Sequence, residues 1–365
     1  MTERDYMGSG PRGQRGRSRR RATTLAVGAC ATVVGLTVAA CGSSNDGGSA
    51  SASASSSSVG TLKLAISTTD ATQIQPFIAA YSGYFKEFGL DAQITLTGAN
   101  SVTSVTSGQA DVAFGGAGAP VTVQQQGKAT SIIYWSLGNK SAGFMIGKTG
   151  IKSIQDCKTV ITVTQAGSPY AWAVAYQKAL GLNYQIIAQS DSSVPPNSVA
   201  AGTQDCAIST YSNMNGPVAA GKATYIIDPR NASSLPGPLQ PLNFADTQIW
   251  GMTDNLNSKT PQLVAFVKGM DKALQKMNSS TPEQLADLLL TSPDWKTYTR
   301  DQLAGLIKEV RFGFAPESGF VSEQMWGQWA KLLNQSAFPY VQTTDPTWSY
   351  NSRVNMGPYK TALGK

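Results

Sequence analysis

Beyond residue 60 the apolar positions follow two alternating rhythms. Compact apolar runs at Thr61–Ile66, Ala92–Leu96, Val112–Phe114 and Ser131–Trp135 read as buried strands. Between the first two, Ile74, Phe77, Ile78, Tyr81, Phe85 and Phe88 recur at helical spacing, with Pro76 in the first turn and Gly89 past the end. The scheme then restarts. Thr159–Val163, Gln185–Ala188, Ala207–Thr210 and Tyr225–Ile227 read as strands, with a helix over Pro169–Leu180. Strand–helix–strand alternation of this kind predicts parallel sheets with right-handed crossovers, so the chain is α/β with two lobes. Phe144–Ile146 reads as a crossing into the second lobe, and Gln248–Met252 as the return. The remainder predicts helices over 261–278, from a capping box at Thr281–Gln284, over 301–311 and over 322–333. Met325, Trp326 and Trp329 read as packing residues.

The organising stretch is Ser107–Pro120. Gly108 ends a turn, Val112–Phe114 is a buried strand, and the strand opens into Gly115-Gly116-Ala117-Gly118-Ala119 before Pro120 starts a helix. A loop of small residues between strand end and helix start lets a ligand approach bare backbone N–H groups. Gly202-Thr203-Gln204-Asp205-Cys206-Ala207 repeats the Gly-x-x-Asp-x-Ala of Gly108–Ala113. Gly167-Ser168-Pro169 is the other sharp feature: Ser168 suits an N-cap, Pro169 the first helical position, and the helix start suits an oxyanion. Asp70 reads either as a partner for an ammonium group or as a solvated turn residue.

Composition changes this picture at the N-terminus. The 365 residues carry a net charge of +7, but residues 1–40 hold seven Arg against Glu3 and Asp5. The basic excess is therefore a property of that end and is no argument for nucleic acid. Residues 1–40 read as a signal peptide: Arg19-Arg20-Arg21, then an apolar stretch too short for a stable span. Val38-Ala39-Ala40-Cys41-Gly42 resembles the lipobox of bacterial lipoproteins, which implies lipidation at Cys41 and attachment to the outer face of the cytoplasmic membrane. Ser18-Arg19-Arg20 leaves the export route open between the general and twin-arginine systems. Residues 41–60 are then a lipidated flexible tether rich in Ser, Gly and Ala. Of four cysteines, Cys157 and Cys206 remain in the body, each directly before a strand. In an oxidising compartment they form a disulfide if those strands are parallel neighbours, and otherwise stand as two free thiols.

Pro76-Phe77-Ile78-Ala79-Ala80 through Gly83-Tyr84-Phe85-Lys86-Glu87-Phe88-Gly89-Leu90-Asp91, followed by Ser107-Gly108-Gln109-Ala110-Asp111-Val112-Ala113, carry a family likeness. Over roughly residues 61–280 the body resembles the ABC-transporter solute-binding proteins that take nitrate, sulfonates, taurine and thiamine-precursor pyrimidines. The resemblance implies a two-lobed type II periplasmic-binding-protein fold: parallel-core sheets joined by two crossing segments, with extra C-terminal helices. Lobe 1 would comprise 61–143 and 248–365, and lobe 2 would comprise 144–247. Strand order 2-1-3 in each lobe would set Cys157 beside Cys206. Ligand contacts carry over by position onto Ser67, Thr68, Thr69, Asp70, Asn100, Gly116 and Ala117. The second lobe would add Gln165, Gly167, Ser168 and Tyr170, with Asp191, Thr210 and Tyr211 behind them, and Trp250 walling the cleft.

The expected function is an extracytoplasmic solute-binding lipoprotein, acting as a monomer, that hands a small polar, anionic or zwitterionic molecule to an ABC permease and its ATPase. No Arg falls in a cleft loop, which leaves neutral ligands open, and a ring pair from Tyr170 with Tyr211 or Trp250 would suit a pyrimidine. A ligand-sensing lipoprotein shares every feature but the partner. An enzyme on this scaffold is least expected, because the chain has no histidine and no metal-binding or paired-carboxylate spacing. No cofactor or metal is called for.

Overall fold

Two five-stranded sheets organise the body. The structure is a computed structural model that describes residues 57–365 except 117, 137–142, 166, 232, 234, 236, 238–246, 316–318, 336–340 and 342–343. Its strands are β1 (Gly60–Ile66), β2 (Leu90–Leu96), β3 (Val112–Gly115), β4 (Thr130–Trp135), β5 (Phe144–Lys148), β6 (Thr159–Val163), β7 (Gln185–Gln189), β8 (Cys206–Ser209), β9 (Ala223–Ile227) and β10 (Gln248–Met252). The first sheet runs β2-β1-β3-β10-β4 and the second β7-β6-β8-β5-β9.

Each sheet contains the expected parallel trio in order 2-1-3. β1 pairs with β2 on one side and β3 on the other, with Leu64 opposite both Ile94 and Val112. β6 sits likewise between β7 and β8. Central strands buried on both sides need apolar residues at successive positions, and Leu64, Ala65 and Ile66 supply them at 1% exposure or less. The two stretches read as crossings differ from expectation. Phe144–Ile146 is part of a strand, antiparallel to both β8 and β9. Gln248–Met252 also enters its sheet, antiparallel between β3 and β4. Both sheets are therefore mixed. The chain leaves the first sheet after Trp135 and re-enters it at Gln248, and the whole second sheet lies between.

The repeated Gly-x-x-Asp-x-Ala has a structural meaning at both copies. Gly108 and Gly202 have φ of +77° and +74°, the left-handed conformation that turns the chain into the next strand. The Asp that follows then ties the strand entrance to its neighbour. Asp111 Oδ2 accepts from Lys63 N at 2.8 Å. Asp205 Oδ2 accepts from Lys158 N and Thr159 N at 3.0 and 3.2 Å, and Oδ1 meets Lys148 Nζ at 2.7 Å. The Lys148 ammonium is the main cause holding the Asp205 carboxyl below its usual range.

The C-terminal helices behave as expected in outline. Helix Thr260–Ser279 buries Leu263, Phe266, Val267, Met270, Leu274 and Met277 and packs on helix Ile74–Tyr81. Thr281 and Gln284 form the capping box, with bonds of 2.9 and 3.2 Å. Trp326 and Trp329 are both 3% exposed and stack in the core, while Met325 packs half-buried against it. The C-terminal tail also does structural work. Arg353, 1% exposed, donates to Gln124 Oε1 and to Thr130 Oγ1 and lies against Trp348, and burial lowers its pKa to about 10.

Cys157 and Cys206 are bonded, with Cα atoms 5.9 Å apart. Parallel pairing of β6 with β8, in which Val160 lies opposite Cys206, brings them together. The bridge closes a loop across 49 residues of sequence. Chain-entropy arguments put its stabilisation at about 4 kcal/mol, an upper figure for a real protein. The Cys157→Ser/Cys206→Ser double variant is expected to lose about 2–4 kcal/mol of unfolding free energy in urea titrations, with dithiothreitol lowering wild-type stability toward the same value.

Candidate functional site

In open α/β sheets, ligands sit beyond the carboxyl ends of the parallel strands, and here those ends face one another. Gly116 follows β3, and Ser168 is the first residue of helix Ser168–Ala179 after β6. A Cβ placed on Gly116 would lie 3.5 Å from Ser168 Oγ and 3.7 Å from Ser168 N. The two small-residue turns singled out from the sequence therefore meet across the two sheets. Gly167 is the N-cap of that helix, with φ −83° and ψ 146°, so Ser168 lies one position inside it and is not the cap. Glycine is required at 167 by space: a Cβ there would fall 2.5 Å from Val163 Cγ2.

The β1 exit holds the one predicted carboxylate of the first sheet. Asp70 is 7% exposed and caps a short helical turn through Thr72 N at 2.8 Å. The same Oδ1 accepts from Thr72 Oγ1 at 2.5 Å and from Ser212 Oγ, beyond β8, at 3.3 Å. All three donors are uncharged, so the buried carboxylate is held by neutral hydrogen bonds. The solvated-turn alternative does not hold. Ser67 Oγ accepts from Gln73 Nε2 at 3.1 Å, and Thr69 O accepts from Tyr298 Oη at 3.0 Å. Burial, then the Asp70 charge, raises the Tyr298 pKa. Thr68 and Asn100 are exposed at the exits of β1 and β2.

The second sheet contributes a more aromatic surface. Thr210 precedes helix Tyr211–Ala219, and its Oγ1 is buried without a partner. Tyr211, 4% exposed, lies parallel to Tyr225 at 6.0 Å and donates to Asn215 Oδ1 at 3.1 Å. Arg230 lies 4.5 Å over the Tyr211 ring, ion-pairs with Asp228 at 2.6 Å, and reaches Glu309 on helix Arg300–Val310. Asp228 is the main cause raising its pKa, so this guanidinium is already neutralised. Gln165 is exposed and Tyr170 half-buried, both at the β6 exit. Asp191 is also exposed; its carboxylate accepts from Ser193 N and Oγ at 2.8 Å, and those bonds lower its pKa. Ala117 and Cys41 lie outside the described residues.

Trp250 is 1% exposed in the hydrophobic core, opposite Ala113 and Ile132. Two residues nearer the strand-exit edge, on the same face, is Gln248, which sequence reasoning missed. It is 0% exposed, and neither Oε1 nor Nε2 has a partner. Its register partners are Gly115 and Trp135, and the Trp135 indole N–H is likewise buried and unpartnered. The only sequence signal was a polar residue heading an apolar strand. Arg230, Glu309, Ser212 and Tyr298 were also missed, because their roles depend on contacts between distant segments. Among the described residues no group of three His, Cys, Asp or Glu could hold a metal ion.

Replacing Asp70 with Ala removes the cap bond and the bond from Ser212, so urea unfolding of Asp70→Ala is expected to show a loss of about 1–2 kcal/mol. A change within 0.3 kcal/mol would show that the cap and cross-sheet bonds contribute nothing.

Comparison with known proteins bears on the family and the fold. The profile of the family described as NMT1/THI5-like matches residues 71–284. Compared with curated protein sequences, the chain has no match. Among solved structures it is similar to a Bordetella bronchiseptica RB50 protein, with TM-score 0.66 and 17% identity over 83% of this chain and 97% of that one. It is similar to the putative sulfonate ABC transporter periplasmic protein SsuA of Methylobacillus flagellatus KT, with TM-score 0.59 and 15% identity over 83% and 94%. The periplasmic nitrate-binding protein NrtA of Synechocystis PCC 6803 gives TM-score 0.60 and 12% identity over 83% and 88%. The architecture is thus the two-lobed periplasmic-binding-protein fold.

Proposed function

The chain belongs to the NMT1/THI5-like family, and from that premise we propose that it is an extracytoplasmic solute-binding lipoprotein serving an ABC importer. The observation that carries the reading is the meeting of the β3-exit turn at Gly116 with the helix start at Ser168 across two separate sheets. Two half-sites on opposed bodies suit a solute that is held by closure and released by opening. The similar sulfonate- and nitrate-binding proteins support the same reading. Binding without chemistry fits a chain of 365 residues with no histidine.

The lining favours a zwitterionic or neutral solute over a bare oxyanion. Asp70 brings a buried carboxylate, Arg230 is neutralised by Asp228 and Glu309, and the remaining contacts are uncharged. Taurine-like zwitterions suit an ammonium group at Asp70 and an oxyanion at the Ser168 helix start.

Thermal-shift titration of the purified protein with taurine, ethanesulfonate, nitrate and an aminopyrimidine tests the reading. A true ligand at a hundred times its Kd is expected to stabilise by roughly 2.7 kcal/mol; no shift with any polar solute of these classes would remove it. The anchor is tested separately. Among the described residues no helix is long and apolar enough to cross a membrane, so retention at the envelope should rest on Cys41. A Cys41→Ser variant expressed in a lipoprotein-processing bacterium is expected to lose metabolic fatty-acid label, whereas undiminished labelling would place the lipid elsewhere or nowhere.

A further inference from the structure

The Gln248 amide occupies an unusual position. Its backbone belongs to the first residue of β10, paired with Gly115 on one side and Trp135 on the other. The side chain is therefore not needed to complete the sheet. It is 0% exposed, and both amide atoms lack partners. The indole N–H of Trp135, directly across the ladder and on the same face, lacks one too. Buried polar groups are nearly always hydrogen-bonded, and adjacent exceptions on one face call for an explanation. Packing supplies none: the Trp135 ring lies against Trp329 at 6.2 Å, which buries its carbon surface and leaves its nitrogen unsatisfied.

The location supplies one. Gln248 shares its register with Gly115, the last residue of β3, and the next residue, Gly116, lies close enough to the Ser168 helix start that a Cβ on it would be 3.5 Å from Ser168 Oγ. The amide thus lies at the strand-exit edge where the two bodies meet. We propose that Gln248 and Trp135 form the specificity subsite of the solute cleft, reading an uncharged edge that both donates and accepts, as in a carboxamide, urea or pyrimidine. The proposal rests on the solute-binding reading and narrows it. Gln248 offers one acceptor and a donor group, and Trp135 adds a second donor. A sulfonate or nitrate would satisfy the donors, but it would leave Gln248 Oε1 facing negative charge. An amide-like edge satisfies all of them through a paired donor–acceptor contact, with a further acceptor toward the indole.

The test uses the full-length protein and five probes: cytosine, uracil, nicotinamide, ethanesulfonate and nitrate, titrated by calorimetry. At least one of the first three is expected to bind at least tenfold more tightly than either oxyanion. Gln248→Leu should weaken that probe at least tenfold, and Trp135→Phe, which keeps the ring and removes the donor, by a few-fold. Without solute, Gln248→Leu should leave the thermal midpoint unchanged or raise it, because it removes an unpartnered buried amide of similar volume. A fall of several degrees would show that the amide is bonded within the resting protein and would overturn the subsite. Oxyanions binding more tightly than the other probes, or Gln248→Leu binding like wild type, would also overturn it while leaving the solute-binding reading intact. Failure of all five probes to bind wild-type protein would overturn the subsite and count against the solute-binding reading itself.

Discussion

Each sheet needs an antiparallel strand that arrives from outside its parallel trio. β3 is short, and on the side away from β1 it pairs, among the described strands, with β10, which comes from beyond residue 247. β4 pairs through β10 alone among the named strands. Unpaired backbone N–H and C=O groups inside a protein cost as much as lost hydrogen bonds. The first sheet therefore cannot be completed until the chain has made the second and returned. The second body is an insertion held at both ends by strands of the first, and its own centre is tied by the Cys157–Cys206 bridge. The second body is thus inserted between two strands of the first, as in the periplasmic-binding fold.

The same constraint explains the position of the proposed subsite. Gln248 is the first strand residue after the return passage, and Trp135 is the last before the outward one. Their register pairing places both passages at one edge of the sheet, beside Gly115. That edge also lies close to the opposed helix start at Ser168. Contacts further from it hold the bodies together by other means. Ser212 donates to Asp70, and Arg230, stacked on Tyr211, reaches Glu309. The ion pair is partly exposed, so its net contribution is on the order of 1 kcal/mol or less.

What could be read from the sequence was what local pattern determines. Apolar runs located the parallel trios, helical spacing located the buried face of Thr260–Ser279, and Thr281 with Gln284 announced a cap that the structure contains. The paired cysteines were legible through the strands they precede. Phe144–Ile146 and Gln248–Met252 were not legible as strands, since nothing local names an antiparallel partner a hundred residues distant. The N-cap at Gly167 rather than Ser168 was hidden for a different reason, because it depends on a methyl group of Val163 leaving no room for a Cβ. Trp250, which the resemblance placed as a wall of the cleft, is instead packed in the hydrophobic core, while the nearby candidate is a glutamine whose meaning lies entirely in what surrounds it.

On the proposed reading, that glutamine also bears on closure around a solute. Each buried polar group left without a partner costs about 1–3 kcal/mol, and Gln248 with Trp135 presents three such atoms in a single place. On the proposed closure reading, a shut cleft that is dry at this point is penalised, which would favour a separated arrangement when nothing is bound. A solute that supplies the missing partners removes the penalty only in the shut arrangement. Its affinity then differs between the two arrangements by that amount, and only such a difference can shift their populations. A difference of about 3 kcal/mol changes the ratio of shut to open by roughly two orders of magnitude. A solute that satisfied the donors but not the amide oxygen would recover part of that difference and shut the cleft less completely. Discrimination between solutes would then appear in the fraction shut as well as in how tightly each is held.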